Sequence, residues 1–431
     1  MTGAGMDNNK LAQECGCPEF TASRRTFLRG VAGAFGAGAV TSVIGDVHRQ
    51  VAFGATVDNP NVLVVVSLRG GADGLSLVVP HGDPNYAAAR PRIAIPTPQL
   101  LGSDPMFGLH PGFAPLLPMW TTGSFGAVHA VGLPQPNRSH FAAMEALEDA
   151  DPGSSERRGW INRMVGLIPG EEPQQATELG SPMVPGSLYG VSPALSLTKL
   201  ASMQLSGTQE ADFLRRHRIA YDMLWGNRVG ALGRGARNAV ATTESLSDLA
   251  TTPINPLNGA SYPSGDLGQA LAETATLIRA NVGTRVVTLD CGSWDMHSGL
   301  GTLQWGGMQS NVDELSKALA AFFTDLGGSA SQVTVVSITE FGRRVTENGH
   351  FGLDHGWASA VLLLGAGVRG GQVHGNWPGL AESALVDGDL AVTRDYRSVL
   401  TEVVRSRFPE LNASQVFPGF VPETIGAMTL G

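Results

Sequence analysis

Several side chains in this sequence are of the types that bind divalent cations, and they come in tight groups. "SWDMHSG" places Asp295 two residues before His297, and "GLDHGW" sets Asp354 beside His355. Glu340 lies in "ITEFGR", three residues before Arg343, and Asp73 lies in "RGGADG". Carboxylates and imidazoles together suit zinc, manganese or magnesium. Two close ions can clamp the attacking and leaving oxygens of an in-line displacement. "PNRSHF" adds Arg138, Ser139 and His140. A serine at a helix start is a good N-cap. The free N–H groups and dipole there also attract anions. A serine nucleophile attacking phosphate or sulfate would benefit from that placement.

Each group alone is equally compatible with loop polarity. Their shared position in the fold sets them apart. Asn61 to Leu68 is a continuous apolar run, the pattern of a strand buried on both faces. Ser124–Leu133, Thr284–Gly292, Ser331–Gly342 and "ASAVLLLGAG" read the same way. Between them, "SHFAAMEALED", "DLGQALAETATLIRANV" and "NVDELSKALAAFFTDLG" have helical spacing, with Ser139 and Asn311 placed as caps. Strands alternating with helices predict an α/β fold: a central, mostly parallel sheet covered by helices on both faces. The stretch 151–265 is less regular and reads as a cap or insertion.

In such sheets ligands bind beyond the carboxyl ends of the strands. Arg69 and Asp73 follow the first strand, and Arg138, Ser139 and His140 follow the second. Asp295 and His297 follow the next; Glu340, Arg343, Arg344 and Asn348 follow the one after. Asp354 and His355 precede the last. Five chain segments thus bring polar groups to one sheet edge. His81, His110, His129 and His217 fall outside these segments and are expected to be structural or surface residues.

Bulk composition excludes other classes. Net charge is −9 and no long basic run occurs, so nucleic acid is not expected as a partner. Charged residues make up 16% of the chain, against roughly 25% in a typical domain. There is no Lys-Ser/Thr phosphate loop, no dinucleotide fingerprint and no G-x-S-x-G elbow. Past residue 55 no apolar run reaches the roughly 18 residues of a membrane span.

The first 55 residues read as an address. "SRRTFL", a Gly/Ala-rich apolar run and small residues near Ala55 resemble a twin-arginine export signal. The twin-arginine translocation machinery is then a partner. The body, 56–431, is expected to be periplasmic, in the cell envelope or extracellular. That route carries folded proteins, often after cofactor uptake. Cys15 and Cys17 would leave with the signal, and Cys291 alone forms no internal disulfide.

"LRGGADGLSLVVP", "NRSHF", "GSWDMHS", "TEFGR" and "DHG", in this order behind such a leader, resemble the domain of unknown function 1501 family of exported bacterial proteins. That family looks like a distant branch of the alkaline phosphatase/sulfatase superfamily of metal-dependent hydrolases. The resemblance implies one or two divalent ions held by Asp73, Asp295, His297, Glu340 and His355, with Asp354 beside or behind His355. It implies Ser139 as nucleophile and Arg138 or Arg343 as anion clamp, acting on a small-molecule or glycan ester. The superfamily's strand-end Asp-His pair reads Glu340-Phe341 here, so one imidazole is missing from that place. Two functions follow: a phosphate- or sulfate-ester hydrolase, or a non-catalytic envelope binding or assembly protein with a degraded site.

Overall fold

The computed structural model describes residues 60–170, 172–203 and 211–430. The expected export signal, residues 1–55, lies outside these residues. Eleven strands are described: β1 (Val62–Leu68), β2 (Val78–Val79), β3 (Gly108–Leu109), β4 (Phe125–Gly132), β5 (Ala176–Leu179), β6 (Leu195–Leu197), β7 (Val286–Cys291), β8 (Val333–Ile338), β9 (Ser359–Gly365), β10 (Val373–His374) and β11 (Arg394–Asp395). The longer helices among them are α1 (His140–Asp149), α2 (Ala211–Trp225), α3 (Ala231–Ser245), α4 (Asp266–Arg279), α5 (Gly307–Leu326) and α6 (Tyr396–Arg407).

Nine strands form one sheet in the order β10-β4-β9-β8-β1-β7-β5-β6, with β11 also pairing with β4. Every pairing in it is parallel except the two made by β9. The expected mostly parallel sheet is therefore present. Alternation along β1 explains why its sequence is apolar at every position but Ser67. Val62, Val64, Val66 and Leu68 enter one core, with Leu271 of α4 and Leu319 of α5. Leu63 and Val65 enter a second core on the other face, with Leu147 of α1 and Val399 of α6. A strand covered on both sides has no polar face to show.

Two expectations need correction. The stretch 151–265 is not a separate cap throughout: β5 pairs with β7 and β6 with β5, so part of it extends the main sheet. Asn311 caps nothing, because α5 begins four residues earlier at Gly307; its amide instead donates to the Ser293 carbonyl at 2.9 Å.

Direction explains the site's position. β9 runs opposite to its neighbours, so its start lies at the edge where the parallel strands end. The chain after β8 then runs beside the chain before β9. Gly342 N–H donates to the Trp357 carbonyl, Gly356 N–H to that of Gly342, and Arg344 N–H to that of Asp354. "EFGR" and "DHG" thus form one locally paired unit.

Candidate metal centre

Beyond these strand ends, four chain segments converge on Asp295. One potential ligand atom from each of His140, Asp295 and His355 lies within 4.8 Å of the other two. His140 Nε2 is 3.5 Å from Asp295 Oδ2, and His355 Nε2 is 3.3 Å from Asp295 Oδ1. His297 adjoins the triple, its Nε2 lying 3.2 Å from Asp295 Oδ1 and 2.9 Å from His355 Nε2. Bonds of about 2.0–2.1 Å in a tetrahedral zinc site put neighbouring ligand atoms roughly 3.3 Å apart. The observed separations bracket that value.

The far nitrogens make the same case. His140 Nδ1 is 2.8 Å from Glu340 Oε1, and His355 Nδ1 is 2.8 Å from the Arg138 carbonyl. His297 Nδ1 is 3.2 Å from Asp354 Oδ1. A carbonyl only accepts, so His355 carries its proton on Nδ1 and turns the Nε2 lone pair inward. Carboxylates do the same for the other two rings. Holding the outer nitrogen by an acceptor is how metal-binding imidazoles are fixed in tautomer and aim. His140 Nε2 is buried without a hydrogen-bond partner. An orphaned buried nitrogen costs free energy unless something occupies its lone pair. Two inward Nε2 atoms 2.9 Å apart likewise call for a proton or a cation between them. The residues fit a divalent ion.

Charge is arranged accordingly. The Glu340 hydrogen bond raises the His140 pKa, against the opposing effect of burial. Burial would push Glu340 up, but hydrogen bonds from His140, Thr339 and the Gly70 N–H hold it below its ordinary value. Burial also works to raise Asp295, and the Arg343 guanidinium 2.6 Å away outweighs it, keeping the carboxylate ionised. Burial lowers His355, which favours the neutral ring a metal needs. Glu340 and Arg343 form a buried floor, while Asp295, His297 and Asp354 open to solvent.

Glycines let the backbone approach this floor. Gly70 has φ +113, and a Cβ there would sit 2.5 Å from the Asp295 backbone nitrogen. Gly71 has φ +73, and a Cβ there would sit 2.6 Å from the Phe341 ring. Only glycine meets both demands.

Not every expected residue reaches the cluster. Asp73 is buried in a bidentate pair with Arg90, at 2.5 and 2.9 Å, so its oxygens are spent. Arg343 is buried, donating to the Gly70, Gly71, Leu353 and Trp294 carbonyls as well as to Asp295. It positions a ligand and has no free edge for an anion. Arg138 is partly committed to Asp389, at 2.5 and 3.1 Å. Glu340 and Asp354 sit behind imidazoles and do not belong to the compact triple. Ser139 stands at the start of α1 with an exposed side chain that makes no capping hydrogen bond.

His140 is the residue that sequence reasoning passed over as a ligand. The His140 ring lies 4.8 Å from the Phe341 ring and its Nδ1 meets Glu340. The signal was its place in "NRSHF", beside the serine that drew attention. His110 and His129 are buried structural residues, as expected, engaged with the Gly112 N–H and the Val78 carbonyl.

Fold and site together define an α/β protein with a mostly parallel sheet and a built His/Asp cluster at its strand ends. The chain belongs to the family described as Protein of unknown function (DUF1501), which matches residues 105–397. That range includes "NRSHF", "GSWDMHS", "TEFGR" and "DHG", and the resemblance drawn from these motifs is borne out. No curated protein matches the chain significantly. Among solved structures it is similar to the C-terminal periplasmic domain of EcEptC from Escherichia coli in complex with Zn, with 9% identity, 72% of this chain and 74% of that chain covered, and a TM-score of 0.34. It is also similar to the PsFucS1 sulfatase from Pseudoalteromonas sp., with 12% identity, 88% and 75% covered, and a TM-score of 0.36. A third is the phosphonate monoester hydrolase of Agrobacterium radiobacter, with 8% identity, 80% and 73% covered, and a TM-score of 0.29.

Proposed function

We propose that this protein is an exported, metal-dependent hydrolase of phosphate or sulfate esters. Residues 1–55 act as its twin-arginine signal and 56–431 as the working body in the periplasm, envelope or medium. The observation that carries the metal reading is the convergence of the Nε2 atoms of His140, His297 and His355 on Asp295, each ring held from behind. His140, Asp295 and His355 hold the ion and His297 completes the set. A donor set of three imidazoles and one carboxylate favours zinc or manganese over magnesium, which prefers oxygen.

When bound, the ion supplies Lewis-acid stabilisation of charge on the ester oxygens. Ser139 acts as nucleophile. Its two chain neighbours both touch the cluster, Arg138 through its carbonyl on His355 and His140 through its ring. Attack by the hydroxyl forms a seryl ester and releases the alcohol, which takes up the serine's proton. Water then frees the serine. The exposed rim at Asp295 and His297 leaves room for a substrate.

The test is metal content of the purified exported protein, then hydrolysis of aryl phosphates and aryl sulfates with and without chelator. Protein that stays inert with zinc or manganese restored sinks the catalytic reading. A second reading keeps the metal and drops the chemistry, making this an envelope binding or assembly protein. It is favoured by Arg343, which is buried and donates to four backbone carbonyls and to Asp295. Full metal occupancy without turnover, and no seryl ester at Ser139 by mass spectrometry, would select it.

A further inference from the structure

Far along the chain from the metal cluster, α2 and α3 form a helical hairpin with an unusual surface. Six of the fourteen exposed large apolar side chains among the described residues fall between Ile219 and Leu232. Val229 at the turn is 95% exposed and Met223 82%; Ile219, Leu224 and Leu232 are each more than half exposed. None of the described side chains of α2 is fully buried. Single exposed apolar residues are ordinary on proteins, whereas a group of them marks a contact surface.

The same hairpin is basic. Six arginines, two aspartates and one glutamate lie between residues 211 and 245, a net charge of +3 in a chain whose total is −9. Some of this charge holds the hairpin together. Arg218 pairs with Glu244 at 3.0 Å, and Arg237 donates to the Trp225 and Arg228 carbonyls, closing the turn. Arg215 meets Asp212 at 3.4 Å in an exposed pair. Arg216 and Arg228 are exposed, with no carboxylate in ion-pair reach among the described residues. On α2, Arg215 and Arg216 share the outward face with Ile219 and Met223, by the helical period.

We infer that the tip of the α2–α3 hairpin docks this protein on an anionic lipid bilayer. Apolar side chains at a turn, collared by arginines, match the interface of such a membrane. The apolar groups enter the boundary between headgroups and acyl chains, and the guanidinium groups meet lipid phosphates. A second copy of this chain fits less well. Two hairpins meeting through the same surface would bring two net-positive faces together. This surface shares no residue with the cluster, so the inference stands whether or not the cluster is catalytic.

The test is vesicle co-sedimentation of the purified protein. Vesicles of mixed phosphatidylglycerol and phosphatidylcholine are compared with phosphatidylcholine alone, at low salt and near 1 M, where the Debye length shrinks to about 3 Å. The expected result is binding to the anionic vesicles at least tenfold stronger than to the neutral ones, weakened by salt. Met223→Asp with Val229→Asp should abolish it, and Arg216→Glu with Arg228→Glu should cut it more than tenfold. These positions are exposed, so an unchanged melting temperature is expected for both variants. Equal binding to both vesicle types, or variants that bind like the parent, would overturn the inference. So would a dimer in vesicle-free solution that the aspartate variant converts to monomer.

Discussion

His140 Nδ1 lies 2.8 Å from Glu340 Oε1, across a sequence separation of 200 residues. This contact links the start of α1 to the end of β8 and puts an imidazole where the chain itself offers only Phe341.

His140→Ala should therefore remove metal as effectively as His355→Ala. We expect each to lower zinc affinity by more than tenfold, read by competition with a chromophoric chelator. Ser139→Ala should leave metal content unchanged and abolish ester hydrolysis. An alanine at 140 that still retains a full equivalent of zinc would remove His140 from the ligand set.

Glu340→Gln tests the partner behind the ring. A carboxylate on the far nitrogen typically contributes 10–100-fold in metal affinity. The amide keeps the shape and can still accept from the Gly70 N–H. The expected loss lies in that range with little change in melting temperature. A large drop in stability with intact affinity would make Glu340 a structural residue.

Asp73 should behave differently from the cluster residues. Asp73→Asn strands the Arg90 guanidinium in the interior, where breaking a buried pair costs about 3–5 kcal/mol. Denaturant unfolding should show that loss, while metal content stays at the parent level. Loss of metal without loss of stability would restore Asp73 as a ligand.

Acid should destabilise the fold independently of metal. Burial pushes both His110 and His129 down to about 4. Asp313 faces His110, while Asp73 and Arg90 face His129, and none of them offsets the burial. The unfolded chain binds these protons near pH 6.5 and the folded chain near 4. Stability is thus full above about pH 6.5 and falls as pH drops towards 4, by on the order of 3 kcal/mol per histidine at most. Denaturant midpoints of chelator-treated protein across that window check this. A flat profile would mean that both rings are protonated in the fold.

Much of this architecture is legible from sequence, and the reasons are physical. β1 and β8 announce themselves because a strand covered on both faces is mostly apolar, Ser67 in β1 and Thr334 and Ser337 in β8 being the exceptions. Asp295, His297 and His355 are legible because they stand at the edges of such strands. The reversal of β9 is not, since an apolar run carries no direction. Charge partners are equally silent: Asp73, Arg138 and Arg343 look like ligands and clamps until Arg90, Asp389 and Asp295 are placed against them. Ser139 holds the N-cap position that its sequence place suggests, but its hydroxyl makes no capping hydrogen bond.

The cluster draws its donors from segments that no short piece of chain contains. His140 follows β4, Asp295 follows β7 and His355 precedes β9; β4 and β9 are neighbours in the sheet, while β7 lies on β9's other flank, past β8 and β1. An unfolded chain offers at most a pair of these donors at a time. Affinity for an ion held there would be a property of the finished sheet, with all of the binding free energy on the native side of the folding equilibrium. Ion uptake during refolding should trail the assembly of the sheet, which makes it a clock for the last step of folding.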